Sequence, residues 1–595
     1  MDKTAFNPEH IKSANPLFFS VVEKTGSVDE MRSVLSGLSF PMDRAVETAC
    51  LSADSLARIR VCALALKNIL KKESDELTGC SVAQAIRDIN HGVPRPDLTP
   101  AFYAELHYIL LGLSPGKHEP RNDFRETHTS LSESDSGRSA AIEKSKLLDK
   151  LWGEVDRWIS RYETGLNDDA IIRRRERRDR ILDVLGASLK DWHDWHWHIR
   201  HIVRDVDDLD KLVMLTDEQR EAVSEARRAK LPFGVTPYYL SLMDDEKSNR
   251  DMAIRAQVLP PLDYVGKVSA VEDRSTLDFM GERDTSPFDL ITRRYPAVLI
   301  LKPFNACPQI CVYCQRNWEI EDAMASGAFA GMERIDAAIK WIREHPAIHE
   351  VLVTGGDPLA MGDSTLRNVL EKVATIPTIE RIRIGTRVLV TMPMRVTAQL
   401  AEMIGELRRP GKREVCVVTH VQHPYEITPD VITAVDKLRR HGISVYNQFV
   451  YTFFSSRRFE ATALRRLLRL AGIDPYYTFN TKGKKETSAY RAPIARLLQE
   501  CDEEARFLPG LARTDEAVFN LPRLGKCYLR SKEYRSLLSI APDGSRIYEF
   551  YPWVKNISFD NQTYLYTDIP ILEYLERLEK AGENVSDYDT IWYYY

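Results

Sequence analysis

The stretch that decides the fold is AVLILKPFNACPQICVYCQRNW, residues 297–318. Its first eight residues form a mostly aliphatic run, which predicts a buried strand over 297–304. Three cysteines follow at the spacing C-x3-C-x2-C, namely Cys307, Cys311 and Cys314. Three thiolates match three irons of a [4Fe–4S] cluster, whose fourth iron stays open to a small molecule. Structural zinc takes four ligands, so a zinc site completed by Cys416 or Cys501 is the alternative.

Strand-like runs and amphipathic stretches continue to alternate along the chain after this first strand. Amphipathic stretches such as MERIDAAIKWIREH and STLRNVLEKVAT separate five further strand-like runs, at 350–356, 381–386, 414–420, 444–450 and 475–480. Six strands alternating with helices predict a parallel sheet. The fold class expected for residues 291–482 is therefore α/β, a partial (β/α)6 barrel of the TIM type. In such barrels the chemistry sits at the carboxyl ends of the strands.

The whole chain, at 595 residues, is too long to fold around a single core, so further regions are expected on both sides of the barrel. Residues 1–118 predict a helical N-terminal extension, and residues 119–146 a polar linker or disordered segment. A helical region over 147–290 leads into the barrel, and residues 483–595 form a C-terminal region. The extension could be an oligomerisation element, a partner-docking module or a cover over the barrel mouth, so a homo-oligomer stays open.

The composition limits which partners and which cellular compartment are expected for this chain. The formal net charge is only -5, which gives no reason to expect nucleic acid or an anionic membrane as a partner. The basic run RRRERRDR, 173–180, is broken by acids and is interpreted as a solvated helical face. No apolar run reaches the ~18–20 residues of a membrane helix, and MDKTAFNPEHIK is not a signal peptide. Nine cysteines without a disulfide pattern favour reduced thiols and a cytoplasmic protein.

A segment rich in tryptophan and histidine precedes the barrel, DWHDWHWHIRH at 191–201. Its four histidines could suggest a metal site. Aromatic residues at helical spacing are more simply explained by a packing helix, and this interpretation is the one we adopt.

Several motifs occur in a fixed order between about residues 191 and 551. They are DWHDWHWHIRH, TPYYLSLMD (236–244), RRYP (293–296), the cysteine motif, VLVTGGDPL (351–359), THVQHPYEIT (419–428) and IDPYYTFN (473–480). This ordered set resembles the lysine 2,3-aminomutase family, which combines radical S-adenosylmethionine chemistry with pyridoxal phosphate. The resemblance implies a [4Fe–4S] cluster on the three cysteines, with S-adenosylmethionine on the open iron. It also implies a set of further residues that bind S-adenosylmethionine, namely Thr354, Gly355, Gly356, Asp357, Arg387 and His420.

The resemblance implies a lysine that carries pyridoxal phosphate late in the chain. In FNLPRLGK, 519–526, the matching residue is Lys526, although the family's glycine turn is one residue shorter here. Alternatively, Lys526 is an ordinary lysine in a surface turn. The other candidates for the lysine that carries pyridoxal phosphate are Lys482, Lys484 and Lys485. Arg294 and Tyr295 match residues beside the pyridoxal ring and phosphate. A second basic family residue is Val298 here, so the phosphate site is expected to differ.

The expected substrate follows from three further positions. Arg316 matches the arginine that binds the substrate α-carboxylate, a task suited to a planar guanidinium. Lys482 and Asn520 stand at the two positions where the lysine-specific enzymes have aspartates. A cation and a neutral amide at these positions repel a side-chain ammonium and favour a side-chain carboxylate. The pattern resembles the glutamate 2,3-aminomutase branch, so the predicted reaction moves the α-amino group of L-glutamate to its β-carbon.

Other functions remain open at this point. They are a 2,3-aminomutase acting on another amino acid such as lysine, a radical enzyme that no longer uses pyridoxal phosphate, and a non-catalytic scaffold with a relict cluster. The partners implied are a small amino acid and an electron donor such as flavodoxin or ferredoxin.

Overall fold

The computed structural model describes residues 6–37, 53–114, 137–246, 248–481, 484–552 and 562–595. Its centre is a sheet of nine strands that follow one another in chain order. They are β1 (Ile291–Thr292), β2 (Val298–Phe304), β3 (Glu350–Gly355), β4 (Arg381–Gly385), β5 (Glu414–Thr419), β6 (Ser444–Tyr451), β7 (Asp474–Asn480), β8 (Glu516–Leu521) and β9 (Gly525–Tyr528). Strands β2 to β8 are parallel, whereas β1 and β9 pair antiparallel at the two edges.

Helices connect the parallel strands and cover the outside of the sheet. They span Met332–Arg343, Asp363–Ala374, Ala398–Glu406, Pro429–Arg440, Glu460–Leu470 and Ile494–Gln499. Alternate strand residues point to opposite faces, so Val351 and Val353 of β3 are fully buried while their neighbours are half-buried. The six predicted strands and the partial TIM-type barrel are therefore confirmed.

The sheet continues beyond the barrel boundary expected at residue 482. Strand β8 is a seventh parallel strand, and β8 and β9 form a hairpin in which Asn520 is the direct partner of Lys526. The turn of this hairpin contains Arg523 in the left-handed region, with φ 59, and Gly525 with φ 90. Lys526 thus lies on a strand of the main sheet, and the 483–595 region is not separate from the barrel.

Helices of residues 137–269 pack against the barrel before it begins. They span Gly137–Ile159, Asp168–Val184, Leu189–Trp192, Trp195–Arg200, Val206–Leu212, Asp217–Arg228, Pro237–Leu240, Asn249–Arg255 and Leu262–Ser269. The first of these begins inside the segment predicted as a linker, whose residues 119–136 lie outside the described residues.

The solvated-face interpretation of RRRERRDR is wrong for two residues: Arg174 and Arg177 are buried, and Arg174 pairs with Asp430 at 2.9 Å.

The tryptophan–histidine segment forms two short helices, Leu189–Trp192 and Trp195–Arg200. Trp192, Trp197 and His198 are buried, and the His198 ring nitrogen Nε2 lies 2.7 Å from the Trp192 carbonyl oxygen. Burial lowers the pKa of His198 to about 4, which keeps the ring neutral. The packing interpretation is confirmed for this segment.

The described N-terminal helices pack on the C-terminal part of the chain. A second sheet contains β10 (Arg535–Ile540), β11 (Arg546–Phe550) and β12 (Tyr564–Thr567), followed by the helix Ile571–Lys580. The N-terminal helices Ala53–Ile69 and Lys72–Thr78 contact β10, and Pro100–Gly112 contacts the helix Ile571–Lys580. The other described N-terminal helices pack on these or on one another, namely Pro8–Ala14, Pro16–Val22 and Val82–Asn90. Buried Glu105 pairs with buried Arg546 at 2.9 Å across this interface. The Tyr108 ring stacks on Trp592 with centroids 4.5 Å apart. Among the described residues, no helix combines the length and apolar character required to span a membrane.

Candidate active site

A cavity of about 270 Å³ opens at the carboxyl ends of the parallel strands. Its wall includes residues from the loop after β2 and from the ends of every strand from β3 to β8. Most of the sequence-predicted residues lie on it: Cys307, Cys311, Cys314, Arg316, Thr354, Gly355, Gly356, Asp357, Arg387, His420 and Asn520. Residues that are more than 200 positions apart in the sequence therefore meet in one chamber.

The cysteine loop is held to the helices that precede the barrel. The Ile310 N–H donates to the Gly234 carbonyl at 3.0 Å, and the Val312 N–H donates to the Gln257 carbonyl at 3.0 Å. All three cysteines are free thiols. Burial raises the pKa of Cys307, and the neighbouring Asp357, Cys314 and Cys311 raise it further. The three sulfurs are thus close enough to act on one another, and thiols with raised pKa values ionise when they bind metal.

The arrangement fits a cluster better than a single ion. Within the part of the chain that the structure describes, no group of three or more His, Cys, Asp or Glu side chains is placed to hold one metal ion. The zinc alternative also needed Cys416 or Cys501, and neither lies on the cavity wall. Three cysteines on one loop that line the same chamber can bind three irons of a [4Fe–4S] cluster.

The glycines after β3 allow two loops to approach closely. Gly355 has φ +116, and a Cβ there would lie 2.7 Å from the Phe304 carbonyl oxygen. A Cβ on Gly356 would collide with the Ala306 carbonyl, at the start of the cysteine loop. Only glycine fits this approach, which brings the TGGD segment beside the cluster cysteines.

Asp357 ties the end of β3 to the end of β4. Its buried carboxylate accepts from the Thr386 hydroxyl at 2.6 Å and from the Arg387 backbone N–H at 2.7 Å. Burial raises the pKa of Asp357, while these hydrogen bonds lower it. Next to this pair, burial followed by the charge of Arg387 lowers the pKa of His420 to about 4. His420 therefore offers a neutral ring to the cavity.

Arg316 faces the cavity and is paired with two carboxylates. Its Nη2 lies 2.6 Å from Glu282 and its Nη1 lies 3.1 Å from Glu319. The second oxygen of Glu282 lies 3.5 Å from Arg294. Glu282, which the sequence did not single out, is buried and connects the two arginines that the resemblance assigns to substrate and cofactor.

Lys526, Arg294 and Tyr295 form a second group beside the cavity, and they are not among the residues that line it. The Lys526 amine lies 4.3 Å from the centre of the Tyr477 ring and 5.7 Å from that of Tyr295. Burial, followed by the positive charges of Arg383 and Arg294, lowers the pKa of Lys526 to about 8. An amine that is partly unprotonated near neutral pH fits a residue that must attack a carbonyl carbon.

Another part of the cavity wall holds polar residues, of which the sequence assigned only Asn520 to the substrate. Lys482 lies outside the described residues, but Lys484 lines the cavity and is buried against Glu486 at 2.8 Å and Asn317 at 3.1 Å. Asn480, at the end of β7, also lines it, and both atoms of its buried amide have no hydrogen-bond partner in the described structure. The buried Asn520 Oδ1 is unpartnered in the same way. Buried amides without partners indicate a place where a ligand binds.

An open parallel barrel with three cysteines on the loop after its first parallel strand defines a radical S-adenosylmethionine domain. Residues 301–463 match the Radical SAM superfamily. A KamA family protein from Methanocaldococcus jannaschii is 39% identical, over 98% of this chain and 97% of that protein. This chain belongs to the KamA family.

Two further relatives have described activities. Glutamate 2,3-aminomutase from Clostridioides difficile is 31% identical over 63% of this chain and 86% of that protein. L-lysine 2,3-aminomutase from Fusobacterium nucleatum is 31% identical over 48% and 64%. The match to the M. jannaschii protein covers 98% of this chain and therefore includes most of the N-terminal extension, which that relative shares.

Proposed function

We propose that this chain is a 2,3-aminomutase that moves the amino group of an acidic amino acid, L-glutamate first, from the α- to the β-carbon. The KamA family assignment and its aminomutase relatives support the reaction class. The charge of the cavity wall supports the substrate. Its charged lining residues are one carboxylate, Asp357, and three cations, Arg316, Arg387 and Lys484, each paired with a carboxylate that does not itself line the cavity. Since Asp357 is already bonded to backbone N–H groups, a substrate with two carboxylates is favoured over one with a side-chain ammonium.

The proposal gives each end of the substrate a partner. Arg316 binds the α-carboxylate, which takes the place that Glu282 occupies beside Nη2. Asn520, Asn480 and one lysine of the 482–485 segment bind the side-chain end. Lys482 was the residue predicted for this role, and Lys484 is the one that the described cavity supports.

When bound, S-adenosylmethionine on the reduced cluster supplies the radical that removes a β-hydrogen, and pyridoxal phosphate supplies the π system over which nitrogen migrates. Lys526 offers its unprotonated amine, while Arg294 faces it as a cation for a phosphate. Neutral His420 and the buried walls limit proton transfer and water near the reacting carbons. The enzyme requires a one-electron donor, such as flavodoxin or ferredoxin, and the proposal places it in the cytoplasm.

Product analysis tests the substrate. The anaerobically reconstituted enzyme, with S-adenosylmethionine, pyridoxal phosphate and reductant, is incubated separately with L-glutamate and L-lysine, and β-amino acids are separated by chromatography. We expect 3-aminoglutarate from glutamate. Turnover of lysine without glutamate would overturn the substrate assignment.

Two lysines separated only by Gly483 provide matched variants. If Lys484 binds the side-chain carboxylate, Lys484→Met raises the KM for glutamate at least tenfold, whereas Lys482→Met leaves it within twofold. The reverse result would return the role to Lys482. Borohydride trapping followed by peptide mapping tests Lys526 separately, and an unlabelled Lys526 would favour a radical enzyme that does not use pyridoxal phosphate.

A further inference from the structure

Arg387 makes a contact that neither the proposed substrate chemistry nor the family comparison assigns. It lies two residues after the end of β4, and the residue is 8% exposed. Its Nη1 lies 2.8 Å from the sulfur of Cys311, which is hydrogen-bonding distance to one of the three cluster cysteines. The sequence resemblance placed Arg387 only among the residues that bind S-adenosylmethionine.

The guanidinium is fixed from its other side. Its Nη2 donates to Glu426 at 2.9 Å and to Gln257 at 3.2 Å. The Tyr239 ring covers the group, with its centre 5.6 Å from Cζ. Because the backbone N–H of Arg387 is also bonded to Asp357, the side chain is held at its base and at its tip. A donor held in this way points at the sulfur before any ligand arrives.

The three cysteines differ in the hydrogen bonds that their sulfurs accept. Cys314 Sγ accepts from the Arg316 backbone N–H at 3.3 Å, a neutral donor. Cys311 receives the charged guanidinium. Over the described ranges, no donor reaches the sulfur of Cys307. A cluster bound to these cysteines would have its one charged hydrogen-bond donor, among the described residues, at Cys311.

We propose that Arg387 is a positioning residue that donates a charge-assisted hydrogen bond to the Cys311 thiolate and makes the cluster easier to reduce. Reduction adds one negative charge to the cluster. Hydrogen bonds to the coordinating sulfurs stabilise the more negative state, and a charged donor does so more strongly than a neutral one. The inference rests on the radical S-adenosylmethionine class alone, so it stands or falls independently of glutamate, Lys526 and pyridoxal phosphate.

Redox titration monitored by electron paramagnetic resonance, without S-adenosylmethionine, tests the proposal. We expect Arg387→Gln to raise the ratio of oxidised to reduced cluster at least tenfold at a fixed potential, which is 59 mV for a one-electron couple. Arg387→Lys keeps the charge but not the planar fork, so its midpoint should lie between those of Arg387→Gln and the native enzyme. The midpoint counts only clusters that are present, so incomplete loading of a variant does not change it.

A matched control distinguishes this role from general disruption. Arg395 lies on the same segment and is fully buried, but its guanidinium binds the carbonyl oxygens of Leu359 and Met361. Arg395→Lys should leave the midpoint unchanged. A native midpoint in Arg387→Gln would overturn the proposal. If S-adenosylmethionine binding is weakened in that variant while the midpoint stays native, Arg387 serves the cofactor and not the cluster.

Discussion

The reactivity of Lys526 can be tuned through a neighbour that does not touch it. At pH 7, an amine with a pKa of about 8 is free in about one molecule in eleven, against about one in three thousand at 10.5. Burial is the largest cause of this lowering, followed by the charges of Arg383 and Arg294. Arg383→Met removes one of these charges. It also releases Glu350, which Arg383 holds at 2.8 Å and which raises the Lys526 pKa.

Both consequences act in the same direction, so the Lys526 pKa in Arg383→Met should rise part of the way toward 10.5. Each whole pKa step changes the free amine tenfold, and we expect covalent attachment of pyridoxal phosphate at pH 7 to slow about three- to tenfold. The assay mixes the chain with pyridoxal phosphate between pH 6.5 and 10 and traps the adduct with borohydride. The native rate should rise with pH and level off above about 8.

Arg381→Met separates the two consequences, because Arg381 also holds Glu350 at 2.8 Å but its own charge does not act on the Lys526 pKa. Its pH profile should lie between those of the native chain and Arg383→Met. A native profile that still rises steeply above pH 9.5, or identical profiles for native and Arg383→Met, would refute the reasoning.

Three further perturbations follow from the same structure. Cys314→Ser should lose most of the iron and the absorbance near 400 nm after anaerobic reconstitution, and full iron content would contradict a three-cysteine cluster. Asn480→Ala should raise the KM for glutamate about tenfold, or about 1.4 kcal/mol, because the Asn480 amide atoms have no other partner in the described structure. The cluster spectrum should stay unchanged. An unchanged KM would show that Asn480 is not part of the substrate site. Glu105→Ala should lower the free energy of unfolding by ~3–5 kcal/mol in a denaturant titration, since it leaves buried Arg546 unpaired; a loss below about 1 kcal/mol would count against this account.

The six predicted strands are confirmed because each is a short run rich in β-branched, aliphatic or aromatic residues, and amphipathic helical stretches separate one run from the next. The seventh, β8, escaped prediction because Pro522 follows AVFNL directly and the stretch was interpreted as a turn. Lys526 was found through the resemblance, but its position on a strand opposite Asn520 depends on pairing that sequence alone does not display.

The site residues that were missed share a physical reason. Glu282 lies in an irregular segment without periodicity, and only the fold brings it between Arg294 and Arg316. Asn480 looks like the last residue of a strand, and its importance comes from the absence of partners for its amide. In NTKGKKET three lysines stand within four positions, so no spacing rule could choose Lys484 over Lys482. Register and burial decide these cases, and both depend on contacts distant in sequence.

The packing of the N-terminal helices against the C-terminal sheet has a consequence for biosynthesis. Glu105 and Arg546 are separated by 441 positions. At a translation rate of about 5–20 residues per second, the helix that carries Glu105 waits roughly 20–90 seconds before its partner strand leaves the ribosome. During that interval its apolar side, including Phe102 and Leu106, lacks its final cover. We expect the nascent chain to depend on holding chaperones until the last strands are made, and C-terminal truncations to aggregate even when the barrel is intact.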